Sequence, residues 1–310
     1  MKKLEYLLVK FFYLIFSRIS FSSSHYFAKI FAFFINYIVR YRKNLVKQNL
    51  KIAFPKLNKK ELRQIINGVY YNFACFVVEL LQGWRLTPDF FNKNFTVHNW
   101  NVIESALNEN KGLILLAGHL ANAEWIGSYA CSRIANVYAV MKPLHNSYVN
   151  NFIIGIRKNL GFKLLYTKEA YKKGLAVLQN RDALALIADQ DVREKGVFVN
   201  FFGIPASTPK GVAVLHLKTG APIVMLICVR RSWGKFDLYC EPVPSCQDFK
   251  LNKKNVFAVT QSYTSILEKW IRKYPEQYLW LHKRWKTKPD KLQLQEFLRH
   301  SCECGNPVIL

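Results

Sequence analysis

Acidic residues are scarce in this chain of 310 residues, with 20 Asp plus Glu against 45 Lys plus Arg and a formal charge of +25 at pH 7. Between Glu5 and Glu61 there is none at all. Such a surface attracts polyanions, which leaves nucleic acid, anionic lipid headgroups and an acidic protein as partner classes, beside the plainer use of lysine as a solubilising residue. Other absences narrow the field. Neither G-x-G-x-x-G nor G-x-x-x-x-G-K-[ST] occurs, so the two common nucleotide cradles are missing and no cofactor is indicated. There is no C-x-x-C pair. The seven cysteines, Cys75, Cys131, Cys228, Cys240, Cys246, Cys302 and Cys304, are scattered and mostly sit in apolar runs, which points to a reducing compartment. Cys302-x-Cys304 lacks the second ligand pair that zinc needs, and no other cluster suggests a metal. Internal repeats and low-complexity tracts are absent too.

What is present is apolar and aromatic: 51% of the chain is hydrophobic and 15% is Phe, Trp or Tyr, enough for a sizeable core with apolar surface left over. Two apolar runs open the chain, Tyr6 to Phe16 and Tyr26 to Val39, interrupted by Lys10 and Lys29. Neither reaches the ~20 uninterrupted apolar residues of a spanning helix. Ser22, Ser23 and Ser24 lead into a second aromatic run, which argues against a removable signal peptide. Aromatic faces that carry lysines suit helices lying among lipid headgroups, so residues 1–45 read as an amphipathic, membrane-anchoring segment on the cytoplasmic side. The alternatives are a helical hairpin packed on the body and a single tilted span with Lys10 snorkelling.

Beyond Phe54-Pro55 and Asn58 to Glu61, the spacing of Ile65, Ile66, Val69, Phe73, Val77 and Leu80 predicts a helix. After Pro88 the pattern becomes short apolar runs between longer helical stretches: Leu113 to Ala117, Val137 to Met141, Ala183 to Ala188, Ile223 to Val229 and Phe236 to Cys240. That alternation predicts an α/β fold, a mostly parallel central sheet flanked by helices, over residues 46–289, with 290–310 as a peripheral tail.

One strand candidate ends in chemistry-bearing residues. Leu113 to Ala117 runs into Gly118-His119-Leu-Ala-Asn122-Ala-Glu124-Trp125 and then into a helix, so His119 lies at the carboxyl end of a strand, where open α/β sheets bind ligands. Residues five apart lie about 140° apart on a continuous helix. With His119 on the turn and Glu124 in the first helical turns, the carboxylate is expected to accept from one ring nitrogen, fixing the tautomer and raising basicity. Asn122 is expected to cap the helix. An imidazole so held is suited to take a proton from an attacking hydroxyl.

This run resembles the H-x4-(D/E) motif of the late acyltransferases of lipid A biosynthesis. Further segments resemble the family in order: Arg42 to Leu50 with Ala53-Phe54-Pro55, Arg157 with Gly161, Asp189-Gln190, Phe201-Phe202-Gly203, Thr208 to Gly211, Thr219 to Pro222, and Tyr274-Pro-Glu-Gln277-Tyr-Leu-Trp280-Leu-His282-Lys-Arg284-Trp285-Lys286. The resemblance covers about residues 5 to 289. Leu120, Ala123 and Tyr278 depart from the family pattern, which bears on acyl-chain and acceptor choice.

The resemblance implies a glycerolipid-acyltransferase-like enzyme of the cell inner membrane, its catalytic domain on the cytoplasmic face. It would move an acyl chain from an acyl carrier protein thioester to a 3-hydroxyacyl hydroxyl of a lipid A precursor. His119 would be the general base and Glu124 its orienting carboxylate, with Asn122, Arg157, Asp189, Gln190, Phe202, Arg284 and Lys286 as substrate-binding residues. Arg157 reads as an oxyanion donor, a phosphate clamp or a surface cation; Asp189 as a group orienting Arg157 or the acceptor sugar, or as a helix cap; and Phe198, Phe201 and Phe202 as core or acyl-pocket wall. The aromatic and basic ending reads as a dock for the phosphorylated lipid or the acidic carrier, or as packing; without an RNA-binding motif, nucleic acid is not an expected partner. The remaining alternatives are another glycolipid or a lysophospholipid as acceptor, and a non-catalytic membrane-bound relative.

Overall fold

Residues 1–246 and 248–303 are described by a computed structural model, Cys302 and Glu303 by their backbone alone. The Cys302-x-Cys304 pair therefore lies outside the described residues. Twelve α-helices are described: α1 (Lys2–Arg18), α2 (Phe21–Phe33), α3 (Lys43–Ala53), α4 (Lys59–Leu81), α5 (Pro88–Asn94), α6 (Asn101–Asn108), α7 (Ala123–Arg133), α8 (Ser147–Asn159), α9 (Ala170–Gln179), α10 (Gly211–Thr219), α11 (Lys253–Lys273) and α12 (Lys291–Glu303). Nine strands accompany them: β1 (Phe95–His98), β2 (Leu113–Ala117), β3 (Val137–Met141), β4 (Lys163–Tyr166), β5 (Ala183–Ile187), β6 (Val197–Phe201), β7 (Ile204–Thr208), β8 (Ile223–Ser232) and β9 (Lys235–Pro242).

Seven strands form the expected mostly parallel sheet, in the order β1-β9-β8-β2-β5-β3-β4, with β8–β9 its antiparallel pairing. Strand β2, Leu-Ile-Leu-Leu-Ala, has no polar face because both of its faces are covered, as parallel strands require. Leu113 and Leu115 join one apolar cluster with Trp125 and Tyr129 of α7, while Ile114 and Leu116 join the other with α10 and α11. The five strand runs read from the sequence are all present. Three features escaped that reading: β1 and β4, edge strands of four residues and too short to show a period, and the β6–β7 hairpin. The hairpin turns on Phe202 and Gly203 at φ 56° and 81°, the two positive angles of a tight primed turn.

Helix α4 begins with a full capping box, Asn58 accepting from the Glu61 amide while Glu61 reaches back to the Asn58 amide. It is long and apolar enough to cross a membrane by length and composition, but half of it is buried within the structure. Helices α1 and α2 lie against α4 and α8 through Phe16, Ala28 and Ala32, while their outer surface exposes Leu4, Leu7, Phe11, Tyr26, Ile30 and Phe33. The opening segment is thus packed on the body along one side and apolar on the other. Helix α12 seats Phe297 against Phe198, Val199 and Phe257.

Beneath the carboxyl edge of the sheet lies a buried polar network that the sequence reading missed. Glu79 of α4 is fully buried and pairs with Arg230 at the end of β8, which donates from Nη1 and, at 2.8 Å, from Nη2. Glu79 also accepts from Asn122 at 2.7 Å, and Arg230 Nε donates to Asn72 at 3.1 Å. Gln277 exchanges two hydrogen bonds with the Arg230 backbone, at 2.8 and 2.9 Å. A lone acid in the apolar helix segment FVVELL and the first of two arginines ending an apolar strand are the sequence signal, since each requires a partner when buried. Removing one partner strands the other charge: Glu79→Gln or Arg230→Met is expected to cost about 3–5 kcal/mol in denaturant unfolding, and Glu79→Leu with Arg230→Met together less than the sum of the singles. Losses below about 0.5 kcal/mol would contradict the network.

Candidate active site

The sheet register builds the centre of the site. Ala117 of β2 pairs with Ile187 of the adjacent parallel strand β5, so two residues past each strand end His119 faces Asp189. The Asp189 carboxylate accepts from His119 Nδ1 at 2.6 Å and from the His119 backbone amide at 2.8 Å. The His119 side chain is 31% exposed and that of Asp189 is 4% exposed. This corrects the expectation for Glu124: the ring nitrogen belongs to Asp189, because the strands bring residue 189 to residue 119 while the helix carries Glu124 away. It also replaces the cap and sugar-contact readings of Asp189.

The loop that carries His119 is pinned from three sides. Gly118 packs closely under α11: a Cβ there would stand 2.7 Å from the Leu267 side chain, which would have to shift. Ala121 adopts a left-handed φ of 49°, an uncommon geometry for alanine, and its amide donates to the Gln277 carbonyl at 2.9 Å. The Leu279 amide donates to the His119 carbonyl at 3.0 Å. Asn122 caps α7 by accepting from the Trp125 amide at 3.1 Å, as expected.

Electrostatics follow from this geometry. Burial would push the Asp189 carboxyl up, but the His119 charge, its two hydrogen bonds and Arg284 outweigh it and hold the group down at about 2. Burial lowers His119, yet the Asp189 charge and hydrogen bond, with Glu124 adding to them, leave it above the ordinary imidazole value. An ionised Asp189 only accepts, so in neutral His119 the proton sits on Nδ1 and Nε2 is the open acceptor. Gln190 Nε2 lies 3.3 Å from that nitrogen, positioned to donate to it.

Glu124 instead holds Arg157 of α8. Arg157 Nε donates to both carboxylate oxygens at 3.0 and 3.1 Å, and Nη2 donates to Oε1. Arg157 Nη1 meets the Met141 thioether at 3.8 Å, a weak acceptor. Glu124 and Arg157 stand at a narrow cleft lined by Ala117, Ile126, Gly127, Ala130, Ala139 and Phe162 among others, nearly all apolar. His119 lines a second cleft, about 510 Å³, with Val69, Phe73 and Phe76 of α4.

The other residues expected to bind substrate divide by burial. Arg284 is 2% exposed, donates to the Ser207 carbonyl and Thr208 hydroxyl at 2.6 Å each, and lies over the Phe201 ring. Phe202 packs on Phe54, Trp280 and Trp285. These contacts give Arg284, Trp280 and Trp285 the packing role instead of the docking one and Phe202 the core role, all of them bracing the site from within, and Asn122 is likewise enclosed. Lys286 is exposed and not part of the His119 cluster. Asn49, missed in the sequence, ties α3 to this segment through the Trp280 and His282 carbonyls, both at 2.8 Å. Burial pushes the Cys75, Cys131, Cys228 and Cys240 thiols up to about 12, which leaves them unreactive.

Comparison with known proteins decides what this arrangement belongs to. The profile of bacterial lipid A biosynthesis acyltransferases matches residues 1–287. The chain belongs to that family. It is 24% identical over 251 residues to the lipid A biosynthesis palmitoleoyltransferase of Escherichia coli K12, covering 80% of each chain. Identity to the lipid A biosynthesis lauroyltransferase of the same organism is 25% over 253 residues, again 80% of each. A phosphatidylinositol mannoside acyltransferase of Mycobacterium tuberculosis H37Rv is 28% identical over 189 residues, 59% of this chain and 57% of the relative. As a member of this family the chain is an acyltransferase.

The Glu124–Arg157 pair is bidentate and mostly buried, with side-chain exposures of 11% and 24%. A double-mutant cycle of Glu124→Gln and Arg157→Gln in unfolding is expected to give a coupling of about 1 kcal/mol or more. A coupling near zero would mean that the pair does not form in solution.

Proposed function

We propose that this acyltransferase moves a fatty acyl group from an acyl carrier protein thioester to a 3-hydroxyacyl hydroxyl of a lipid A precursor, at the cytoplasmic face of the inner membrane. The observation that carries the reading is His119, with Nδ1 held by the buried, ionised Asp189 and Nε2 left as the acceptor, beside the Gln190 amide at 3.3 Å and at the edge of an apolar cleft. The acceptor hydroxyl attacks the thioester carbonyl carbon while its proton passes to His119 Nε2. Asp189 stabilises the imidazolium that forms. The negative charge gathered on the carbonyl oxygen meets Arg157, whose guanidinium Glu124 orients and whose Nη1 has a weak thioether acceptor, Met141, as its hydrogen-bond partner among the described residues. Collapse breaks the C–S bond, and the imidazolium returns the proton to the leaving thiolate. No acyl-enzyme is required.

The cleft under α7 offers the acyl chain an apolar wall, and the acidic carrier matches the excess of lysine and arginine. The exposed apolar rows of α1 and α2 support lodging at a bilayer surface, where a lipid acceptor resides. A second reading, transfer to a different membrane glycolipid, draws on the identity with the phosphatidylinositol mannoside acyltransferase.

Purified protein incubated with mixed acyl carrier thioesters and a tetra-acylated lipid A precursor is expected to add one acyl group, read by mass spectrometry of the lipid. His119→Ala and Asp189→Asn are each expected to lower the rate by roughly 100- to 10,000-fold. Folded wild-type protein that acylates no lipid A precursor but does acylate phosphatidylinositol mannosides would establish the second reading; turnover by His119→Ala at the wild-type rate would refute the role of the base.

A further inference from the structure

A second feature lies one step along α4 from the His119 cleft, and its use rests on the proposed glycolipid acceptor. Helices α3 and α4 flank a groove of about 1290 Å³ whose rim carries Lys43, Lys47, Lys51, Lys59 and Arg63, and no carboxylate lines it. Lys43, Lys47 and Lys51 recur every fourth residue along α3, an arrangement in which like charges repel by a few tenths of a kcal/mol per pair. Lys59 and Arg63 stand in the opening turns of α4, where the helix dipole disfavours cations. Lys43 donates to the Asn36 carbonyl at 3.1 Å, whereas Lys47, Lys51, Lys59 and Arg63 are exposed and have no ion-pair partner among the described residues. Two helices thus hold, against their own stability, a set of cations around a floor of Phe54, Leu57, Leu62 and Ile66.

Two neighbours indicate the occupant. The groove opens beside Ile38, Val39 and Tyr41, which are 61%, 51% and 44% exposed and continue the exposed apolar row of α2. An anion seated here therefore has hydrocarbon-compatible surface next to it, as a lipid headgroup requires, and a water-borne acidic protein would meet that apolar margin instead of a polar one. In the other direction, Leu62 and Ile66 of the groove and Val69, Phe73 and Phe76 of the His119 cleft form one stripe along α4. Ile66 and Phe73 are separated by about 10 Å at 1.5 Å per residue, so the groove and the cleft lie within reach of one lipid molecule.

We propose that this α3–α4 groove docks the phosphomonoester-bearing headgroup of the membrane glycolipid acceptor, and so sets the acceptor's register against His119. The cations neutralise the phosphate, the apolar floor carries the sugar ring faces, and the acyl chain bearing the reacting hydroxyl runs along α4 to the catalytic cleft.

The test uses the full-length protein and phosphatidylcholine vesicles doped with a bisphosphorylated glucosamine disaccharide lipid, with its dephosphorylated counterpart, or with phosphatidylglycerol at equal charge. Wild-type protein is expected to bind the phosphorylated glycolipid vesicles about tenfold or more tightly than the dephosphorylated ones. The triple variant Lys47→Gln, Lys51→Gln, Arg63→Gln is expected to lose that preference while its binding to the dephosphorylated vesicles stays at the wild-type value and its melting temperature is no lower than that of the wild type. Lys93→Gln, Lys235→Gln, made on a different surface, guards against a generic charge effect and is expected to keep the preference. The proposal is overturned if the triple variant retains the preference, if it loses phosphatidylglycerol binding to the same degree, or if its defect appears instead in the affinity for acyl carrier protein. His119→Ala separates this from the reaction itself: a preference retained without any turnover in wild type leaves the groove standing and removes the chemistry, and wild-type turnover without the preference removes the groove alone.

Discussion

The carboxylate of Asp189, buried and ionised at the end of one strand, fixes both the ring and the backbone of His119 at the end of its neighbour. A charge in that position is tolerable only because it is fully answered, by the imidazole, by an amide and by the field of Arg284 behind it. The same two hydrogen bonds choose the tautomer of His119, keep its loop from relaxing and lift its basicity. A single parallel register therefore decides the chemistry at the sheet edge: sliding β5 against β2 by one residue would carry Asp189 to the wrong face.

Around this pair the protein separates two tasks. Glu124 and Arg157, on neighbouring helices, present a cation to an apolar cleft, while Asp189 and His119 handle the proton. The Glu79–Arg230 network underlies both, since it holds Asn122 at the cap of α7 and Gln277 against the left-handed turn at Ala121. Arg284, Trp280, Trp285 and Phe202 fill the far side of the loop, so the aromatic and basic ending of the domain serves mainly to brace the site.

Much of this was legible in the sequence where the physics is local. The five longer strand runs, the α4 periodicity, the Asn122 cap and the position of His119 just beyond a strand all follow from apolar period and turn chemistry over a dozen residues or fewer. The family resemblance likewise gathered Glu124, Arg157, Asp189 and Gln190 into one region. Partner choice is not legible, because it depends on strand order: nothing local announces that β5 lies beside β2, so sequence proximity favours Glu124 as the partner of His119 over the distant Asp189. Arg284 misled for a related reason, since a cation among aromatics looks like a surface motif until the β6–β7 hairpin is known to enclose it. Glu79 stands alone in an apolar run and Arg230 is the first of two arginines after another, and neither segment shows that the two meet.

Asp189, and not Glu124, is the group that polarises His119. Nitrogen-15 NMR of histidine-labelled protein, titrated in the wild type, Asp189→Asn and Glu124→Gln, reads this directly. His119 is expected to titrate above the ordinary imidazole value of about 6.5 and to show an Nδ1–H tautomer when neutral, and its titration point is expected to fall sharply in Asp189→Asn with a smaller change in Glu124→Gln. A His119 titration that collapses in Glu124→Gln and is indifferent to Asp189→Asn would contradict it.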